Sequence, residues 1–95
     1  MASNFQILSY KTRNSLHLKL DGDFDGNSAY ELINVLRDHG PEFFQIFIDT
    51  NNLKTIHPFG RAVFQNNFTI KRLSRFLTFT GEHGNTMALS ESNLV

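Results

Sequence analysis

The fold is decided by the stretch Leu16-His-Leu-Lys-Leu-Asp-Gly-Asp-Phe-Asp25 and by the amphipathic segment that follows it. Leucine occupies every second position from 16 to 20, and this alternation predicts a β-strand with one buried face. Residues 21–27 are rich in turn formers, and Ser28 with Glu31 matches a capping box, so we expect a helix that begins at Ser28. One side of this helix is apolar, which predicts that it covers one face of a sheet. That apolar stripe consists of Ala29, Leu32, Ile33 and Leu36.

Further strands and a second helix are expected on both sides of this unit. Phe5–Tyr10 is predicted to form a hairpin with the strand at 15–20. The nearly unbroken apolar run Phe43–Ile48 predicts a central strand, covered on both faces and parallel to a neighbour. A separate stretch, 53–56, follows the polar residues 49–52. A second helix is expected from about Pro58 to Ser74, and a last strand over Phe76–Thr80.

The order of these elements, β-β-α-β-α-β, predicts an α/β fold with a mixed sheet whose helices pack mainly on one face. A chain of 95 residues is the size of one domain. We assign that domain to residues 1–81. Residues 82–95 are polar, and we expect them to form a mobile tail or a short helix.

Composition excludes several classes of function. Nine basic residues balance nine acidic ones, so net charge does not favour nucleic acid, and no apolar run approaches the length that inserts into a membrane. The absence of cysteine excludes thiolate chemistry, and with no signal sequence we expect a cytoplasmic protein. The histidines lack metal-ligand spacing, and Leu32 stands where a calcium loop that starts at Asp21 needs glutamate. Phosphate-binding glycine motifs are missing as well, so no metal or cofactor is expected.

Two segments resemble STAS domains, the fold of the anti-sigma factor antagonists. The strand 16–20 running into Gly22-Asp-Phe-Asp25 is similar to the family's Gly-Glu-Leu-Asp segment. Phe47–Leu53 resembles the third strand of the family and its exit, and Thr55-Ile-His-Pro-Phe-Gly60 falls on its Asp-Ser-Ser-Gly loop. The resemblance covers about Phe5 to Gly81, and its motifs are short. It implies the same fold, C-terminally shortened, because the helix and strand that usually follow are missing or degenerate beyond Gly81.

The loop departs from the family in a way that bears on regulation. In regulated members a kinase phosphorylates a serine of this loop and so releases the bound partner. Here the four positions are His57, Pro58, Phe59 and Gly60, and only the glycine is retained. Pro58 and Phe59 occupy the phosphoacceptor position, and neither side chain can accept a phosphoryl group. The resemblance therefore implies a non-enzymatic, protein-binding role in a bacterial regulatory system without the serine phosphoswitch.

The predicted binding surface combines the turn after the second strand with the loop before the second helix. An anti-sigma factor, a switch kinase-like protein or a transporter subunit would be the partner. The alternative is a structural or accessory subunit, with a homodimer as one form. A third hypothesis, an enzyme using His57 and Asp49, requires a pocket beside His57. The predicted binding residues are Asp23, Asp25, Gly26, Thr55, His57, Pro58, Phe59, Gly60 and Arg61.

The second helix has two apolar sides. Phe64 and Phe68 form an i, i+4 pair on one side, and the family register turns them toward the sheet. Simple periodicity instead buries an aliphatic stripe and leaves the two phenylalanines as an exposed apolar face. A break near Asn66-Asn67 would turn both sets inward. Basic residues around the pair are typical of a solvated helix face rather than a nucleic-acid site. The aliphatic stripe comprises Ala62, Val63, Ile70 and Leu73, and the basic residues are Arg61, Lys71, Arg72 and Arg75.

Overall fold

Five strands form one mixed sheet in the computed structural model, which describes residues 4–89 and 92–94. The strands lie side by side in chain order; the first pair is antiparallel and the later pairs are parallel. The strands are β1 (Gln6–Lys11), β2 (Ser15–Phe24), β3 (Gln45–Ile56), β4 (Leu77–Thr80) and β5 (Asn93–Leu94). The helices are α1 (Gly26–His39), α2 (Pro58–Asn66), α3 (Phe68–Leu73) and α4 (Gly84–Met87), with 3₁₀ turns at Gly40–Glu42 and Ser74–Phe76.

The core lies between the helices and one face of the sheet. The leucines of β2 and the alternate residues Ile46 and Ile48 of β3 are buried there, against the apolar stripe of α1. On the opposite, open face, the ring of His17 stacks between Tyr10 and Phe47 at centroid distances of 4.6 and 4.9 Å. The predicted mixed α/β sheet with helices mainly on one face is therefore confirmed.

The first helix begins earlier than predicted, because its cap is a different residue. β2 does not end at Leu20; it continues through Phe24, with irregular pairing to β3 and a left-handed Gly22 at φ 100°. Asp25 is the N-cap, and its Oδ1 accepts a 2.9 Å hydrogen bond from the Ser28 amide. The expected start and capping box at Ser28 are wrong, since Ser28 lies in the first turn.

β3 is one strand of twelve residues, and only one of its faces is covered. Its first half alternates between buried and partly exposed residues, and Phe44, just before it, is 83% exposed. The prediction that this strand is covered on both faces is wrong, because Phe47 belongs to the open face and Phe44 lies outside the strand. Its central position and its parallel pairing on both sides are confirmed.

The predicted second helix is broken at Asn67. The side-chain oxygen of Asn67 accepts hydrogen bonds from the Thr69 and Ile70 amides, at 2.9 and 3.2 Å, and so starts α3 in a new direction. The change in direction buries both Phe64 and Ile70, but leaves Phe68 72% exposed. The break is confirmed, and the exposed Phe64–Phe68 face is wrong at Phe64, which packs edge-on against Phe24 and Phe79.

A short helix and a two-residue strand follow β4. Met87 of α4 is fully buried, and the Gln65 amide nitrogen lies 3.1–3.3 Å from the carbonyl oxygens of residues 86–88 at the end of that helix. β5 extends the sheet beyond β4. These elements are shortened, as the family resemblance implies. The division between a domain ending at 81 and a separate tail stays a prediction.

Candidate functional site

The candidate site lies where two neighbouring parallel strands end and two helices begin. β2 leads through Asp25 into α1, and β3 leads through His57 into α2. Because β2 and β3 pair in parallel, Asp23 lies beside Thr55, and Phe24 lies beside Ile56. The two helix N-termini therefore meet at the carboxyl ends of these strands. Open α/β sheets place their binding sites at this end of the strands. We call this region the strand-end surface, comprising the nine predicted binding residues that the sequence places in two separate segments.

Hydrogen bonds fix the two strand ends to each other. The Thr55 hydroxyl donates to Asp23 Oδ1 at 2.8 Å, and the His57 amide donates to the Phe24 carbonyl at 2.9 Å. The hydroxyl of the buried Ser28 lies 2.8 Å from the Asp23 carbonyl oxygen and 3.0 Å from Asp25 Oδ1. The backbone of the strand-end surface is thus held in one arrangement before any partner binds.

The Asp25 carboxylate is engaged in capping α1. The pKa of Asp25 is lowered most by the hydrogen bond from the Ser28 amide, and next by the hydrogen bond from the Ser28 hydroxyl. Partial burial opposes this shift, and the nearby His57 adds a smaller lowering of the pKa. The ionised form is therefore favoured, as expected for a carboxylate that accepts hydrogen bonds at a helix N-terminus. These contacts give Asp25 a structural role rather than that of an acid or base.

Two glycines let the helix N-termini approach closely. A Cβ atom on Gly60 would lie 2.6 Å from the main-chain carbon and oxygen of Asp25, far inside van der Waals contact. A Cβ atom on Gly26 would lie 2.8 Å from the ring of Phe59. Gly60 is buried between backbones, whereas Gly26 faces a side chain. The one glycine shared with the family loop is therefore required for α2 to pack against the start of α1.

The outer part of the strand-end surface is open to solvent. Phe59 is 68% exposed although its ring lies against Gly26. His57 precedes α2, but its side chain makes no capping hydrogen bond. The His57 side chain is exposed at the start of α2. The other exposed members are Thr55, Pro58 and Arg61, while Asp23, Asp25 and Gly26 are partly buried.

Positions 57–60 of the loop hold no hydroxyl or thiol group. Pro58 and Phe59 carry no group that can be phosphorylated. Two grooves of about 520 and 390 Å³ lie on the open sheet face and near α3, and His57 lines neither. Within residues 4–89 and 92–94, no group of three or more His, Asp or Glu residues is placed to hold a metal ion. In the same residues, no helix is long and apolar enough to cross a membrane.

Sequence reasoning missed two contributors to this region. Tyr30 lies one turn beyond Gly26 on α1, on the same side of the helix, and is 55% exposed. In the sequence, the four-residue spacing from Gly26, about one helical turn, is the pattern that could have pointed to Tyr30. Asn4 accepts a 3.1 Å hydrogen bond from the Asp23 amide through its side-chain oxygen. No pattern in the sequence indicates that contact, because it joins residues 19 positions apart. Phe68, on α3, belongs to a different surface.

The mixed sheet and the helices on one of its faces form a STAS-like fold. The fold is similar to that of the anti-sigma factor antagonist SpoIIAA in its unphosphorylated form, with a TM-score of 0.65 and 11% identity over 96% of this chain and 86% of that one. A DUF3478-family protein with a SpoIIAA-like fold from Shewanella loihica PV-4 matches with a TM-score of 0.62 and 15% identity, over 100% of this chain and 90% of that one.

A third similar structure, Mglu, has a TM-score of 0.57 and 13% identity, and the match covers 92% of this chain but 18% of that one. No protein-family model matches the chain, and no curated protein matches it either. At these identities the similarity establishes the fold alone.

Proposed function

We propose that this protein is a non-enzymatic protein-binding module of a bacterial regulatory system, acting in the cytoplasm on an anti-sigma factor or a switch kinase-like partner. The observation that carries the proposal is the exposed Phe59 ring, supported by Gly26 at the junction of two strands and two helices. The STAS-like fold supports the proposal as well, because SpoIIAA, which has a similar fold, is an anti-sigma factor antagonist.

The physical character of the strand-end surface suits protein recognition. Exposed aromatic residues anchor many protein interfaces, and arginine is enriched there, so Phe59 and Arg61 are the expected anchors. The hydrogen bonds of Asp23 and Asp25 hold the backbone beneath them, which lowers the ordering cost of binding. Tyr30 provides further aromatic area on the α1 side.

Binding is proposed to be constitutive, controlled by the abundance of either protein. The loop offers no hydroxyl at 57–60, and the hydroxyls of Ser28 and Thr55 are engaged in hydrogen bonds. The Ser28 hydroxyl is buried, and the Thr55 hydroxyl donates to Asp23, so a phosphate on Thr55 would face that carboxylate. Incubation with the isolated partner and ATP should leave the intact mass unchanged. A mass increase mapped to Thr55 or Ser28 would contradict the absence of a phosphoswitch.

The role is tested by affinity capture from native lysate, followed by quantitative mass spectrometry. Wild type, Phe59→Asp and Phe68→Asp are compared; both substitutions are at exposed phenylalanines, so neither is expected to unfold the chain. An anti-sigma factor or ATPase-like kinase should be enriched by wild type and Phe68→Asp, but not by Phe59→Asp. Equal recovery with all three variants would show that the strand-end surface is not the binding surface.

A second candidate, an accessory subunit of a membrane transporter or other assembly, is favoured by Phe68. This ring is 72% exposed on α3, and the Arg72 guanidinium carbon lies 5.7 Å from its centroid. An exposed aromatic residue with a neighbouring arginine is a common interface anchor. The same capture distinguishes the two functions, because a transporter subunit lost only with Phe68→Asp would select the accessory role.

A further inference from the structure

β1 is the one long sheet edge left open in the described part of the chain. It ends the sheet on its side, and five of its six residues are exposed, Ile7 being half buried. The opposite edge is β5, which has two residues. Edge strands are usually protected by proline, bulges or repeated charges. β1 has no proline, pairs with β2 without a register shift, and carries a single charge, that of Lys11.

The direction of the main-chain groups of β1 follows from its hairpin. The Thr12 amide donates to the Ser15 carbonyl at 2.9 Å, so the main-chain groups of Thr12 point toward β2. Successive residues of an antiparallel strand alternate in this direction, and Tyr10 and Leu8 therefore also bond to β2. The amides and carbonyls of Ile7, Ser9 and Lys11 point away from the sheet. These six groups form a regular ladder on the outer edge.

We propose that two copies of this chain pair through β1, antiparallel about a two-fold axis at Ser9, to form one continuous ten-stranded sheet. Two identical strands related by a two-fold axis are necessarily antiparallel. With Ser9 opposite its own copy, Ile7 faces Lys11 of the other chain, so all the outward groups of these residues bond to each other. If the two-fold axis lay at Leu8 instead, Lys11 would have no partner within β1 of the other chain, so fewer of the outward main-chain groups would be paired. The main chain alone therefore selects the register.

The side chains fit the same register. Leu8 and Tyr10 are 55% and 63% exposed. In the dimer, Leu8 of each chain lies opposite Tyr10 of the other chain, so this pair occurs twice. They form non-hydrogen-bonded pairs, in which side chains are closest. The Tyr10 ring stacks on His17 with one face, so its other face is turned toward the new partner. Leucine against an aromatic ring is a favourable cross-strand pair.

Charge and geometry favour a second copy over an open fibre. The two Lys11 residues lie four positions apart along the paired strands, about 13 Å, which exceeds the screening length at physiological salt. When β1 of one chain pairs with β1 of the second, neither chain has a long edge strand left open. The outer edges of the combined sheet are then the two-residue β5 strands. The assembly therefore closes as a dimer. It does not use the residues of the strand-end surface, so its failure would leave the proposed function untouched.

Amide hydrogen exchange of the full chain at low and high concentration tests the register. The amides of Ile7, Ser9 and Lys11 should become protected as concentration rises, while those of Leu8 and Tyr10 are protected throughout. Light scattering over the same range should show a monomer–dimer equilibrium. A strict monomer, or protection that lacks this alternation, would overturn the proposal.

Ser9→Pro removes one outward amide at the two-fold axis and leaves the β1–β2 hydrogen bonds intact, a position at which edge strands accept proline. It should weaken the dimer at least about tenfold, which corresponds to 1.4 kcal/mol. Ser9→Ala, which keeps the amide, should dimerise like wild type. Circular dichroism checks that both variants are folded. A Ser9→Pro variant that is folded and dimerises as tightly as wild type would place the interface elsewhere and overturn the proposal.

Discussion

Gly60 and Gly26 illustrate at the residue scale how the strand-end surface depends on close approach. The family resemblance singles out Gly60 as the retained loop residue, but it does not explain the retention. The explanation is a contact with the main chain of Asp25, across 35 positions of sequence. A Cβ atom on Gly26 would come almost as close, at 2.8 Å, but to the ring of the exposed Phe59, which can move.

The two glycines should therefore respond differently to alanine. Gly60→Ala forces α2 away from Asp25 and should lower the free energy of unfolding by about 1–3 kcal/mol. Gly26→Ala should change it by less than about 0.5 kcal/mol, because Phe59 can swing outward. Urea titration of both variants measures the difference. Equal losses would show that the backbone contact at Gly60 does not control the packing of α2.

Asp25 should give stability a defined dependence on pH. Because the folded-state pKa of Asp25 is lowered, its ionised form stabilises the fold above the unfolded pKa, and this contribution is lost as pH falls through the folded pKa. Asp25→Asn keeps a good N-cap without a charge, and Asp25→Ala loses about 1 kcal/mol at neutral pH. The stability gap between wild type and Asp25→Asn should shrink from neutral pH to about pH 3. A gap independent of pH would contradict the role given to the carboxylate.

At the scale of elements, the interruption at Asn67 decides which apolar side chains reach the core. A straight helix would bury either Phe64 and Phe68 or the aliphatic stripe. The cap at Asn67 instead buries Phe64 from α2 and Ile70 from α3. Sequence patterns could pose this alternative, because both sides of the segment are apolar. They could not decide it, since the choice depends on packing against Phe24 and Phe79.

Alanine substitutions should separate the two phenylalanines by several kcal/mol. Phe64→Ala removes a fully buried ring and should cost about 3–5 kcal/mol of unfolding free energy. Phe68→Ala removes an exposed ring and should cost less than about 1 kcal/mol. Chemical denaturation measures both. Similar losses at the two positions would indicate a continuous helix rather than two helices with different buried faces.

Across the whole molecule, local patterns predicted the types of element, and tertiary contacts set their limits. β1 and β4 were placed to within one residue, because short alternating or β-branched runs are informative. β2 extends four residues beyond its predicted end, since its turn-forming aspartates pair with β3 instead of turning. The coverage of β3 was overestimated for a related reason. Its aromatic residues form a nearly unbroken apolar run in the sequence, but Phe47 lies on the open face and Phe44 lies outside the strand.

In the candidate site, too, sequence patterns identify the segments, while tertiary contacts determine how they are arranged. The two sequence segments were identified separately, and the parallel pairing of β2 with β3 brings them together. Asn4 and Tyr30 were missed because neither belongs to a motif. The open β1 edge was missed because main-chain direction is not encoded in a pattern of side chains.

The most direct test of the central claim is a binding titration of the captured partner against three versions of the chain. We expect Phe59→Asp to weaken the affinity at least about tenfold relative to wild type, equivalent to 1.4 kcal/mol or more, while Phe68→Asp binds like wild type. That result would locate recognition at the strand-end surface. Unchanged affinity for Phe59→Asp, with that variant folded, would contradict the account.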